Sequence, residues 1–114
     1  MRILTEFGMG TSLRRGDYTG AARRAIEDAL WRNSINAAEL FGFDKTDMRL
    51  TVEIGVQQPD DVDADTLASV FPYGRPTIRV VTGGLDIPRP DGTGNPTIIA
   101  NAAISVSFDM EPAT

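Results

Sequence analysis

Cysteine and histidine are both absent from the 114 residues, and each absence excludes a class of chemistry. Without cysteine there is no disulfide, no thiolate nucleophile and no thiolate metal site. Without histidine the chain lacks the usual general base near neutral pH and the commonest metal ligand. Acid–base chemistry is left to carboxylates, Lys45, a tyrosine or the substrate itself. We expect neither a metal nor a cofactor.

Long apolar runs and basic stretches are also missing. No segment approaches the roughly 20 apolar residues of a membrane span, and residues 1–10 lack the basic start and apolar run of a signal peptide. The formal net charge is −5, and Arg14 with Arg15 forms only a local basic spot, which argues against nucleic acid. We expect a cytoplasmic protein whose partners include neither a membrane nor nucleic acid.

The hydrophobic share of 41% and the charged share of 24% are ordinary for a globular protein. The length predicts one domain over residues 1–110, with a frayed tail at 111–114. Hydrophobic periodicity predicts six elements in the order β-α-β-α-β-β. The predicted strands are 2–7, 49–57, 77–82 and 97–108, and the predicted helices are 19–33 and 63–70.

The predicted fold class is α/β, with a mixed four-stranded sheet and two helices on one face. Right-handed crossovers make the first three strands parallel, and the last strand returns antiparallel. Residues 83–96, rich in glycine and proline, are predicted to be a long loop. Residues 35–43 are predicted to hold a short helical turn and a loop.

The second face of the sheet has no helix to cover it. Alternation assigns to it Glu6 of the first strand, Glu53 of the second, and the small residues of the last strand, such as Ala103 and Ser105. Sheets with parallel strands are usually covered on both faces. We expect this face to be buried in a homo-oligomer; a wet sheet face is the alternative.

Two motif-like segments do not carry the chemistry they imitate. Gly8-x-Gly10 precedes a helix, but the third glycine of a dinucleotide fingerprint would fall on Leu13. Asp61, Asp63 and Asp65 imitate the start of a calcium loop without its glycine or closing glutamate. A charged helix start is the favoured interpretation of the three aspartates.

The candidate ligand-binding residues lie between the first strand and the first helix: Thr11, Ser12, Arg14 and Arg15. The segment predicts an anion site, because backbone amides and the helix dipole favour anions at a helix N-terminus. Two arginines there would clamp a carboxylate or phosphate. The alternative is a solvated basic loop, or a salt bridge to a partner chain.

Glu53 is the candidate catalytic residue. It lies in the middle of a strand, on the face expected to be buried. A buried carboxylate either pairs with an arginine, here Arg49 or Arg79, or acts as an acid or base. Pairing is the favoured interpretation.

The segment from Gly8 to Arg15 resembles a small, functionally uncharacterised family with the signature Gly-x-Gly-x-Asp-x-His-Gly. The two glycines match, but Ser12 stands where the family has Asp and Arg14 where it has His. Residues 33–35, 81–85 and 98–103 also resemble that family. The resemblance implies that this chain lacks the family's reactive pair.

The element order also resembles the unit of trimeric chorismate mutase, the reactive-intermediate deaminases and the cyclic-amide hydrolases. That resemblance implies a chorismate-mutase-like fold and a homotrimer with pockets between subunits, but no activity follows from a shared fold. Two functions remain. The first is a cofactor-free enzyme or binder of an anionic metabolite, with sites at subunit interfaces. The second is a non-catalytic subunit that partners an active paralogue.

Overall fold

A computed structural model describes residues 2–33, 48–71 and 75–108 of the chain. The predicted helical turn at 35–43 and the predicted frayed tail lie outside these residues. The described elements are β1 (Arg2–Ser12), α1 (Tyr18–Asn33), β2 (Met48–Val56), α2 (Ala64–Ala68), β3 (Arg75–Thr82), β4 (Leu85–Ile87) and β5 (Thr97–Phe108), with a 3-10 turn at Pro59–Asp61.

The strands form one mixed sheet in the order β1-β5-β2-β3. β2 and β3 are parallel, and β5 runs antiparallel to both β1 and β2. The first three long strands therefore point the same way, and the α/β class and the antiparallel return are confirmed.

The prediction of four strands was wrong, because β4 lies inside the segment predicted to be a structureless loop. Its Leu85 pairs with Ile99 and its Ile87 with Thr97. These partners lie beyond Asn101, where the pairing of β5 with β2 ends. Gly84, with φ of 61°, adopts the left-handed conformation that lets the chain turn into this position.

Both helices pack on the same face of the sheet, as predicted. The hydrophobic core joins α1 and Leu67 of α2 to alternate residues of β2 and β5. Its buried members are Ala21, Ala22, Ala25, Ile26, Ala29, Leu50, Val52, Ile54, Val56, Leu67, Ile98, Ala100, Ala102, Ile104 and Val106. In the described residues, no helix is long and apolar enough to cross a membrane.

Two glycines set the distance between α1 and the sheet. A Cβ atom on Gly8 would lie 2.2 Å from the carbonyl oxygen of Ala25, and one on Gly10 would lie 2.2 Å from that of Ala21. Only glycine fits such a close approach of two backbones. Gly8-x-Gly10 is therefore a packing motif within β1, and the prediction that the strand ends at Phe7 was wrong.

The same contact decides which residues of β1 face the core. Glu6 stands opposite buried Ile104, and directly opposed residues of an antiparallel pair share a face. Glu6 therefore lies on the helix side, and its predicted place on the second face was wrong. Phe7, opposite Ala103, and Met9, opposite Asn101, lie on the second face instead.

We call this second, helix-free side of the sheet the open face. It consists of alternate residues from all five strands. Those used below are Phe7, Met9, Glu53, Gly55, Arg79, Leu85, Ile87, Ile99, Asn101, Ala103 and Ser105.

Candidate functional site

The loop between β1 and α1 is held by its own side chains. The backbone N–H of Asp17 donates to Oγ of Ser12 at 3.3 Å, and Ser12 is the buried polar residue at the end of β1, only 4% exposed. Gly16 has φ of 65°, the left-handed conformation of a tight turn. The turn leaves Arg14 and Arg15 exposed.

The N-terminus of α1 is occupied by the protein's own carboxylate. Asp17 Oδ1 accepts a hydrogen bond from the N–H of Gly20 at 2.8 Å, and the Asp17 carbonyl accepts from the N–H of Ala21 at 3.0 Å. Asp17 is thus the N-cap of α1. A bound anion would have to be held by the arginines, because the cap already satisfies these amides.

A cavity of about 540 Å³ brings the predicted ligand-binding residues together. Three of the six residues that line it are arginines, and none is acidic. The lining residues are Thr11, Ser12, Leu13, Arg14, Arg15 and Arg24. We call this the arginine cavity.

Arg24 was not among the candidate ligand-binding residues predicted from the sequence. The Nη1 of Arg24 donates to the carbonyl oxygen of Thr11 at 2.8 Å. Asp28 lies one turn further along α1. Asp28 Oδ2 in turn accepts from the backbone N–H of Met9 at 2.9 Å. The two side chains satisfy outward groups of edge strand β1, and so protect part of that edge from pairing with another strand.

The segment after β4 packs against the same loop. Asn95 Nδ2 donates to the carbonyl oxygen of Arg14 at 3.2 Å, and its side chain lies beside Gly16. Asn95 therefore holds the backbone of the loop whose side chains line the arginine cavity.

Tyr18 and Asp86 fasten β4 to the start of α1. The phenol of Tyr18 donates to Asp86 Oδ2, while Oδ1 of Asp86 is buried and has no hydrogen bond within the described residues. The bond to Asp86, burial, and the charges of Asp86 and Asp61 raise the pKa of Tyr18 to about 12. Tyr18 therefore stays protonated near neutral pH, as a hydrogen-bond donor. The partners are 68 positions apart in the sequence, so no local pattern could predict their contact.

Glu53 does not lie in the arginine cavity. It is exposed at the middle of β2 and lines a separate cavity of about 240 Å³ on the open face, together with Phe7, Asn101 and three glycines. Its register partner on β3 is Arg79, yet the described residues show no salt bridge between the two. The predicted burial of Glu53 does not occur within one chain.

The aspartates that imitate a calcium loop begin a helix, as favoured. Asp63 caps α2, accepting at Oδ1 from the N–H of Asp65 at 3.1 Å and that of Thr66 at 3.3 Å. Its Oδ2 accepts from the Thr66 hydroxyl at 2.8 Å. These bonds, led by the hydroxyl of Thr66, lower the pKa of Asp63.

Comparison with known proteins gives a family and a fold. The model of the conserved hypothetical protein family Lin0512_fam matches residues 2–106. A crystal structure described as an FtsZ-like protein of unknown function from Nostoc punctiforme is 29% identical, and superimposes with a TM-score of 0.82 over 93% of each chain. A comparison with curated proteins found no significant match.

Proposed function

The chain belongs to this conserved hypothetical family, and we propose that it is a binding domain for a small anion that carries phosphate or carboxylate groups. The observation that supports the proposal is the arginine cavity. In a chain with a net charge of −5, three guanidinium groups share one cavity whose lining holds no carboxylate. Guanidinium groups bind phosphate and carboxylate oxygens through paired, charge-assisted hydrogen bonds.

The arginines of the cavity differ in how firmly the fold fixes their side chains. Arg24 is oriented by its bond to Thr11, so part of its conformational entropy is already lost before a ligand arrives. Arg14 and Arg15 are exposed, but their backbone is tied by Asn95 and by the Ser12–Asp17 turn. Ser12 supports the site mainly by shaping this turn, and its hydroxyl already accepts a hydrogen bond.

The proposal concerns binding, and a catalytic function would need a second chain. Glu53, the candidate acid or base, lines a different cavity from Arg14 and Arg15. A site that combines them would have to form between subunits, as the chorismate-mutase-like trimer would allow. That fold relationship, the trimer and a paralogous partner stay predictions.

Isothermal titration calorimetry with pyrophosphate and, separately, citrate tests the proposal and distinguishes phosphate from carboxylate ligands. Arg14→Ala with Arg15→Ala should weaken binding by at least about tenfold, since a charge-assisted hydrogen bond contributes roughly 1.5–3 kcal/mol. Arg23→Ala is the control for loss of an exposed arginine, because Arg23 lies on α1 outside the cavity lining and pairs with Glu27 at 3.7 Å. Equal binding by the double variant, or no heat with either probe, would exclude the arginine cavity as the site.

A further inference from the structure

The exposed apolar side chains of the described residues are concentrated on the open face. The exposed fractions are 68% for Phe7, 54% for Met9, 58% for Leu85 and 47% for Ile87. The other large exposed apolar side chain of the described residues, Leu13 at 64%, lines the arginine cavity. Phe7 and Met9 stand on β1, and Leu85 and Ile87 stand on β4, on either side of β5. Half-buried Ile99 of β5 pairs with Leu85 and lies two residues from Asn101, the partner of Met9. The five side chains are therefore neighbours on one patch, because diagonal positions on paired strands are within reach of large side chains.

We propose that a second copy of this chain covers the open face, packing sheet against sheet. The proposal goes beyond anion binding, because it uses a surface separate from the arginine cavity. Contiguous apolar patches on a monomer are seldom larger than a few hundred Å² unless they bind something. Two such sheets pack about 10 Å apart through interdigitated side chains.

The area of the face suits a second copy of the same size. Four strand positions about 4.8 Å apart, each about nine residues long at about 3.3 Å per residue, give a flat area of roughly 600 Å². Projecting side chains increase that value. A standard protein–protein interface buries about 800 Å² on each partner, so the open face is large enough for a stable pair.

The polar part of the face is complementary to itself. Glu53 of β2 and Arg79 of β3 are neighbours in register, and both are exposed. Because these opposite charges are neighbours within each copy, they would pair across the two strands when the face is covered, and neither charge would be buried alone. Asn101 and Ser105 add small groups that form hydrogen bonds and permit close approach.

The cavity beside Glu53 would be closed by the same contact. At about 240 Å³ it opens onto the face between Phe7 and a floor that includes Gly55, Gly83 and Gly84. The second copy would bury Glu53, whose predicted burial the single chain does not provide. Strand addition at β1 is disfavoured as the mode of contact, because Arg24 and Asp28 already bond to that edge.

Sedimentation velocity and native mass spectrometry on the purified chain at micromolar concentration test the proposal. We expect a mass of two or more chains for the wild type, and a single chain for Phe7→Asp with Met9→Asp. Gln58→Glu, which adds a charge at an exposed site off the open face, should keep the wild-type mass.

If the double variant does not fold, as judged by circular dichroism, Leu85→Lys on a different strand of the same face replaces it. A monomeric wild type at all concentrations would overturn the proposal, and so would assembly that persists in folded variants of both strands. A wild-type monomer that binds an unrelated protein or a lipid vesicle through this face would likewise show that the occupant is not a second copy.

Discussion

The two faces of the sheet come from the same strands and differ almost completely in exposure. On β5, Ile98, Ile104 and Val106 are fully buried beneath the helices. The residues that alternate with them, such as Asn101 and Ser105, lie on the open face and remain partly or fully exposed. The chain thus builds one core by itself and leaves a second, apolar-rich face unfilled. If the open face binds a second copy as proposed, folding and assembly use opposite sides of the same strands.

The largest difference in the free energy of unfolding should come from truncating one isoleucine on each face of the sheet. Ile104→Ala should lower the free energy of unfolding by about 3–4 kcal/mol, because it leaves a cavity in a fully packed core. Ile87→Ala, at a side chain 47% exposed, should cost less than about 1 kcal/mol. Both are measured by urea denaturation in the Phe7→Asp, Met9→Asp background, where assembly does not contribute. Equal losses of unfolding free energy for the two variants would show that Ile87 is packed within the single chain.

Substituting one glycine on each face tests the same difference in packing between the two faces. Gly8→Ala should cost about 2–3 kcal/mol, because a Cβ atom 2.2 Å from the Ala25 carbonyl oxygen must push α1 away from the sheet. Gly55→Ala is the matched change on the open face, where the nearest atom is the Gly83 Cα at 3.2 Å. It should stay within about 1 kcal/mol of wild type. Thermal denaturation followed by circular dichroism compares the two, and a tolerated Gly8→Ala would contradict the packing role of the motif.

The Tyr18–Asp86 bond should have a smaller and pH-dependent effect. Tyr18→Phe should cost about 1–2 kcal/mol near neutral pH, since it removes a hydrogen bond to a charged group. The pKa of Tyr18 is raised from 10.0 to about 12 in the folded protein. The stabilisation is therefore complete below pH 10 and is lost as the pH rises through about 12.

Urea denaturation of wild type and Tyr18→Phe between pH 8 and pH 12 measures this difference. Tyr73→Phe, which changes the other tyrosine of the sequence and keeps both Tyr18 and Asp86, is the control. A difference between wild type and Tyr18→Phe that stays constant up to pH 12 would contradict the assigned bond.

Local pattern was sufficient for the elements that alternate or repeat regularly. The stripe from Ala21 to Ala29 predicted α1, and the alternation of Leu50, Val52 and Ile54 predicted the core side of β2. The prediction of which side of β1 faces the core was wrong. Alternation favoured the large apolar Phe7 over Gly8, which has no side chain, as an inward residue, whereas the close approach of α1 requires glycine on that side. Short β4 had no periodicity to reveal it.

Only those residues of the candidate site that are close together in the sequence were predicted. Arg14 and Arg15 adjoin one another in sequence, and the structure places both on one cavity with Thr11 and Ser12. Arg24 joins them because one helix turn lies against the end of β1, a tertiary contact that a local pattern does not encode. The partnership of Tyr18 with Asp86 depends likewise on where β4 pairs with β5.

The dependence of thermal stability on protein concentration tests most directly whether the open face is completed by a second chain. Assembly stabilises the folded state by mass action. We predict that the Tm of the wild type rises as the protein concentration is raised from about 1 to 100 μM, and that the Tm of the Phe7→Asp, Met9→Asp variant does not. A wild-type Tm that is the same across this range would show that the open face is simply exposed to water, and would contradict the account.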